Sequence, residues 1–212
     1  LAFFPSYRMM GEVFDIFEER YGKRVDCVIQ RSGMREEERE AFLRQFEQDG
    51  QSVQNVRNAQ DMQNKRREQD ESAGQAEGSG REKSLVGFCV LGGIFAEGID
   101  VKREARIGAA VVGTGLPQAC HEREILRRFY EERGMDGFAY AYRYPGMNKV
   151  LQAAGRVIRT DEDRGVILLL DDRFLSGEYR RLFPLEWEGV QACRLGDAGG
   201  RIESFWEGAG QV

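Results

Sequence analysis

Leu85-Val86-Gly87-Phe88-Cys89-Val90-Leu91, followed at once by Gly92-Gly93, is the segment on which the fold turns. The run is apolar at successive positions, is too short for an ordinary helix, and is broken by a glycine pair. A strand apolar on both faces belongs in a sheet covered on both sides, as parallel sheets of α/β proteins are. Runs of the same kind occur at Leu1–Phe4, closed by Pro5, at Ile107–Val112 and at Val166–Leu170.

Helical patterns separate these runs. Ser6 is placed to cap a helix, and Met10, Val13, Phe14, Phe17 and Tyr21 then form one apolar stripe. Gly22 is expected to end it as a left-handed cap, with Val25–Ile29 a further strand. Residues 35–48 read as a charged, solvent-facing helix with a narrow seam at Phe42 and Phe46. Two more helices are expected at Glu122–Arg133 and Met147–Ile158. Strands alternating with helices define an α/β domain with a mostly parallel central sheet flanked by helices. In such a sheet the ligand sits beyond the carboxyl ends of the strands.

The composition sets the outer limits. The 212 residues carry 31 Lys and Arg against 36 Asp and Glu, a net charge of −5, and 41% are apolar. That apolar fraction can build a core, so global disorder is excluded. No run is long and apolar enough to cross a membrane, and the start lacks the pattern of a signal peptide. A cytoplasmic protein with no membrane partner is expected. The chain opens without Met and inside a strand, as a fragment of a longer protein would. Cys27, Cys89, Cys120 and Cys193 are far apart with no C-x-x-C spacing, and are expected to be reduced core thiols without a metal. Residues 50–83 lack aromatics and are rich in Gln, Glu, Arg and Gly, the composition of a mobile polar insert outside the core.

Three stretches could carry chemistry. In Gln152-Ala-Ala-Gly155-Arg156-Val-Ile-Arg159, a continued helix would put Gln152, Arg156 and Arg159 on one face. Gly155 clears space beside them, and each arginine brings a planar donor fork suited to phosphate oxygens. The alternative is a surface helix whose arginines pair with Asp161, Glu162 and Asp163. The second stretch, Gly92-Gly93-Ile-Phe95-Ala-Glu97-Gly98-Ile-Asp100, follows a strand end. Its glycines admit a ligand close to the backbone, and its acids can accept bonds from hydroxyls or a hydrated cation. The plain alternative is a turn with two solvated acids. In the third, Phe4-Pro5-Ser6-Tyr7, a hydroxyl and free helix N–H groups could hold a phosphate while Tyr7 stacks on a base. A proline turn with a helix cap would look the same.

Other candidates fall away. Gly113-Thr114-Gly115-Leu116-Pro117 lacks the third glycine of a dinucleotide site, and no G-x-x-x-x-G-K-[ST] phosphate loop occurs. His121 near a helix start reads as a cap or a solvated side chain, and Tyr140, Tyr142 and Tyr144 as packing.

In their order and placement, the three stretches resemble the second motor domain of superfamily-two DNA helicases of the DinG/XPD type. Phe4-Pro5-Ser6-Tyr7 is similar to that family's motif IV, Gly92–Asp100 to motif V and Gln152–Arg159 to motif VI. The likeness runs over roughly residues 1–183 and takes in Leu116-Pro117-Gln118 and Tyr144-Pro145-Gly146-Met147-Asn148. It implies a RecA-like domain without a phosphate loop of its own, forming half of an ATPase that works on DNA, in repair among other settings. The N-terminal motor domain would supply the phosphate loop, the Mg²⁺ site and any 4Fe-4S cluster.

By position, the resemblance makes Arg159 the arginine finger, with Arg156 beside it and Gln152 orienting them or the attacking water. Glu97, Gly98 and Asp100, with Gly155, would line the nucleotide. Ser6, Tyr7 and, further off, Phe95 would meet single-stranded DNA, and movement would run 5′→3′. Two rivals are a non-catalytic nucleic-acid-binding α/β module and a stand-alone nucleotide-binding enzyme of another α/β family. The second rival would bind ATP unaided.

Overall fold

The structure, a computed structural model, describes residues 1–46, 83–93, 95, 108–156, 164–187 and 189–208. The expected insert at 50–83 lies outside them apart from Lys83. Five strands, β1 (Ala2–Phe4), β2 (Val25–Ile29), β3 (Ser84–Val90), β4 (Gly108–Val112) and β5 (Val166–Leu170), form one parallel sheet in the order β2-β3-β1-β4-β5. Ala2, Phe3 and Phe4 stand level with Phe88, Cys89 and Val90 on one side, and Ala2 and Phe3 with Ala110 and Val111 on the other. β2 pairs with β3 from Val25↔Ser84 to Ile29↔Phe88. The alternation of side chains then sends Phe3, Cys89 and Val111 to one face, where all three are fully buried.

The opposite face carries Phe4 and Phe88 and is covered by α1 (Tyr7–Tyr21). Met10 is buried against these two rings, with Phe14 and Phe17 packed around them. Phe14 meets the Phe88 ring edge-on at 5.2 Å, and Phe17 at 5.4 Å. The contact stripe is Met10, Phe14 and Phe17, narrower than the sequence suggests. Val13 and Tyr21 are exposed, because a helix lying on a flat sheet buries only the residues nearest the contact line. Gly22 ends α1 with φ −59°, a right-handed value rather than the left-handed cap expected. Its missing side chain has another use, since a Cβ there would lie 2.6 Å from the Glu18 carbonyl oxygen.

On the Phe3 side, a helix over residues 36–46, α2, brings Phe46 onto Gly87 of β3. A Cβ on Gly87 would collide with that ring, which explains a glycine inside a buried strand. Phe42 stacks at 4.3 Å on Phe95 in the same layer. Beyond β4 come α3 (His121–Glu131), a five-residue π-helical turn (Ala139–Arg143) and α4 (Tyr144–Ala154), which packs on β4 through a face including Met147, Val150, Ala153 and Ala154.

The chain divides into Leu1–Leu169 and Leu170–Val212. The second unit holds short helical turns at Asp172–Leu175, Gly177–Arg180 (α5) and Leu185–Trp187, and ends in α6 (Leu195–Gly208). An aromatic chain runs through it from Tyr179 to Phe174, Phe183 and Trp187. All four cysteines are free thiols, but only Cys89 is buried; Cys120 and Cys193 are exposed, which corrects the reading of all four as core residues. Small neighbours in sequence are as common in surface turns as in cores, so local composition misplaced them. Among the described residues no helix is long and apolar enough to cross a membrane.

Candidate functional site

The register brings four strand ends side by side. Phe4 stands level with Val90, Ile29 with Phe88, and the Phe3–Val111 pair sets Val112 beside Phe4. Pro5-Ser6-Tyr7, Gln30, Gly92-Gly93 and Gly113-Thr114-Gly115 therefore leave the sheet along one edge. The chain leaving β3 is tied to β1 by the Leu91 N–H, which donates to the Phe4 carbonyl at 2.8 Å.

Ser6 and Tyr7 stand where β1 turns into α1. The Ser6 hydroxyl accepts from the Met9 N–H at 3.2 Å, so it caps the helix, as the plainer reading of this stretch has it. Tyr7 is 42% exposed, while its hydroxyl meets the buried Gln30. Gln30 is only 2% exposed. Its Nε2 donates to the Tyr7 hydroxyl at 3.0 Å, and its Oε1 accepts from the Val90 N–H at 2.8 Å. A Cβ on Gly93 would stand 3.0 Å from that same Nε2, so the turn after β3 is closed around the Gln30 amide.

Gly92 lies on the other side of the turn with φ +69°, a conformation that favours glycine. A side chain there would meet the Lys149 stem at 2.8–2.9 Å. Lys149 belongs to α4, and Gln152 follows it at i+3, so the two share a helix face. Two of the three stretches singled out in the sequence are thus joined by contact, Tyr7 to Gln30 and Gln30 to the Val90–Gly93 turn, and that turn meets at Lys149 the helix on which the third stretch begins. Lys149 and Gln30 were not read from the sequence. A single glutamine closing the apolar run Val28-Ile29 was the available signal, and only the register shows what it meets.

α4 stops at Ala154, four residues before the expected Ile158. Gly155 follows as the cap with φ −63°, and Arg156, half-buried, lies in the turn beyond. Gln152 and Gly155 are exposed. Glu97, Gly98, Asp100 and Arg159 lie outside the described residues. Phe95 is 3% exposed and its ring is spent on Phe42 rather than on an open surface. Among the described residues no group of three or more His, Cys, Asp or Glu side chains could hold a metal ion.

Thr114 is buried at the end of β4, and the loop it begins touches the start of α4 directly. The Gly146 carbonyl oxygen is 2.6 Å from where a Gly115 Cβ would be, and the Thr114 carbonyl oxygen 2.7 Å from that of Gly146. Behind this contact, Arg143 is 9% exposed and its Nη1 donates to Asp136 at 3.0 Å. The Ala139 N–H donates to the same carboxylate at 2.9 Å. That bond first, and the Arg143 guanidinium with it, hold the Asp136 carboxyl below its usual range. The π-helical turn is thereby fastened ahead of α4.

A parallel sheet covered on both faces, with its glycine turns gathered at the carboxyl edge and no phosphate loop, defines a RecA-like half-domain. The chain belongs to the helicase C-terminal domain family, whose model matches residues 1–189. It is 30% identical over 103 residues to the "Probable ATP-dependent helicase MJ0942" of Methanocaldococcus jannaschii, covering 44% of this chain and 16% of that protein. To the ATP-dependent DNA helicase chl-1 of Caenorhabditis elegans it is 34% identical over 102 residues, covering 47% and 12%. Among solved structures, an XPD helicase aligns over 92% of this chain and 28% of its own with a TM-score of 0.57 at 17% identity. An apo XPD structure aligns over 85% and 29% with a TM-score of 0.53 at 19% identity. The chain thus spans less than a third of each of these proteins, and the structural likeness speaks for the fold.

Proposed function

We propose that this chain is the second motor domain of an ATP-dependent DNA helicase, working with an N-terminal motor domain of the same polypeptide. The observation that carries the proposal is the contact chain from Tyr7 through Gln30 and the Gly92–Gly93 turn to Lys149 on α4. It joins motif IV to motif V of the resemblance and motif V to the helix that leads into motif VI, and a domain that couples a nucleic-acid grip to a nucleotide pocket needs such a connection.

In this reading the ATP phosphates are gripped by the partner domain, since the chain has no phosphate loop of its own. As the resemblance implies, the Mg²⁺ that accompanies ATP, and any 4Fe-4S cluster, would be held by the partner domain. Arg159 is the finger that stabilises charge on the transferring phosphoryl group, with Arg156 beside it and Gln152 orienting them. Glu97, Gly98 and Asp100, with Gly155, line the nucleotide edge. Ser6 and Tyr7 meet single-stranded DNA, with Phe95 supporting the motif V loop from within the core. The cleft closes on ATP and opens after hydrolysis, shifting the strand 5′→3′.

In the full-length enzyme, Arg159→Ala is expected to lower DNA-stimulated ATP hydrolysis by a factor on the order of 10³ or more without unfolding the protein. Near-normal turnover would remove the finger assignment. The 212-residue chain alone is expected to hydrolyse no ATP. Hydrolysis by it would favour the stand-alone enzyme, and single-strand binding with no dependence on Arg159 the non-catalytic module.

A further inference from the structure

The Gln30 amide has only one consistent orientation. The Val90 N–H can only donate, so the side-chain atom 2.8 Å from it is the acceptor Oε1. The atom facing Tyr7 at 3.0 Å is then Nε2, which also can only donate. The Tyr7 hydroxyl must therefore accept on its inner side, and its own proton is left to point away from Gln30. No acceptor for that proton is found among the described residues, and Tyr7 as a whole is 42% exposed. Gln30 itself is 2% exposed and wedged against Gly93, so the arrangement is held by the core and not by a mobile surface contact.

We infer that Gln30 is a positioning residue that sets Tyr7 as a hydrogen-bond donor, and that the acceptor is a phosphodiester oxygen of the nucleic-acid strand. The inference rests on the proposed placement of single-stranded DNA at Ser6–Tyr7 and changes the chemistry of that contact. Tyr7 grips the backbone through its hydroxyl, whatever the base, instead of stacking on a base through its ring. A backbone grip is what movement along a strand of arbitrary sequence requires. Because the same amide bonds the Val90 N–H, displacement of Tyr7 is felt in the turn that leads into motif V.

The test uses the full-length protein and a fluorescent single-stranded oligonucleotide, with affinity read by anisotropy and turnover by DNA-saturated ATP hydrolysis. Tyr7→Phe, which keeps the ring, should weaken binding about tenfold, the scale of one bond to a charged oxygen. A series of oligonucleotides carrying one uncharged methylphosphonate at successive positions should contain one on which wild type and Tyr7→Phe bind alike. Gln30→Leu should weaken binding with Tyr7 present and add nothing in the Tyr7→Phe background. If Tyr7→Phe binds as wild type while Tyr7→Ala is weakened, the contact is made by the ring and the donor inference is overturned. An equal loss for Gln30→Leu in both backgrounds would reduce Gln30 to a merely structural residue. Unchanged binding by Tyr7→Ala would instead remove the DNA contact itself and with it the reading of motif IV. Should Gln30→Leu fail to fold, Tyr7→Phe with the methylphosphonate series decides the donor assignment alone.

Discussion

At the scale of single residues, the glycines at the carboxyl edge serve two separable purposes. Gly115 has φ +66° and also faces the Gly146 carbonyl oxygen at 2.6 Å from a would-be Cβ. Gly33, at φ +73°, faces nothing within 4 Å. In chemical denaturation, Gly33→Ala is expected to cost about 1 kcal/mol, the backbone strain alone. Gly115→Ala adds a collision between two backbones and should cost more, about 2–3 kcal/mol. Equal losses would show that the loop after β4 can move away from α4 freely. The sequence displays both glycines openly, yet nothing in it pairs Gly115 with Gly146; that contact exists only once β4 and α4 are packed. Gln30 was hidden for the same reason. Its identity was plain, but its two partners come from β3 and from the first turn of α1.

At the scale of elements, the strands were the most legible part, because a run apolar on both faces has few other places to go. Val25–Ile29 and Val166–Leu170 form as read, and the others shift by a residue at their ends. Helix ends were harder. Apolar periodicity continues through Val157-Ile158, but regular α4 stops before Gly155, so Arg156 leaves the helix face expected for it. The π-helical turn had no signal at all in periodicity. Its fastening has a pH consequence. The Asp136 carboxyl is held low in the folded state, so its contribution is present above the unfolded value of about 3.9. That contribution is lost as pH falls through the lower folded value. Melting temperatures taken from about pH 6 down to about pH 3 should fall less steeply at the acid end for Asp136→Asn than for wild type. The carboxylate is half exposed, so the difference is modest. Parallel curves for the two proteins would show that the Asp136 bonds do not hold the turn.

At the scale of the whole molecule, the family likeness ends at residue 189, and α6 beyond it has no buried residue. Removing residues 190–212 is expected to leave the cooperative melt of the sheet unit unchanged, as followed by far-ultraviolet circular dichroism; a lower melting temperature would give the tail a stabilising role. The sheet itself carries a consequence for how the chain comes into being. β1 is the central strand, yet it is synthesised before either neighbour: Ala2 pairs with Phe88 and with Ala110. While the ribosome works through everything between, Phe3 and Phe4 have nowhere to be buried, and α1 has no complete surface to lie on. The order of synthesis is therefore the reverse of the order of need. Folding of this sheet should begin late, limited by long-range closure and not by helix formation, and the growing chain should depend on a chaperone that shelters β1 and α1 until β3 and β4 have been made.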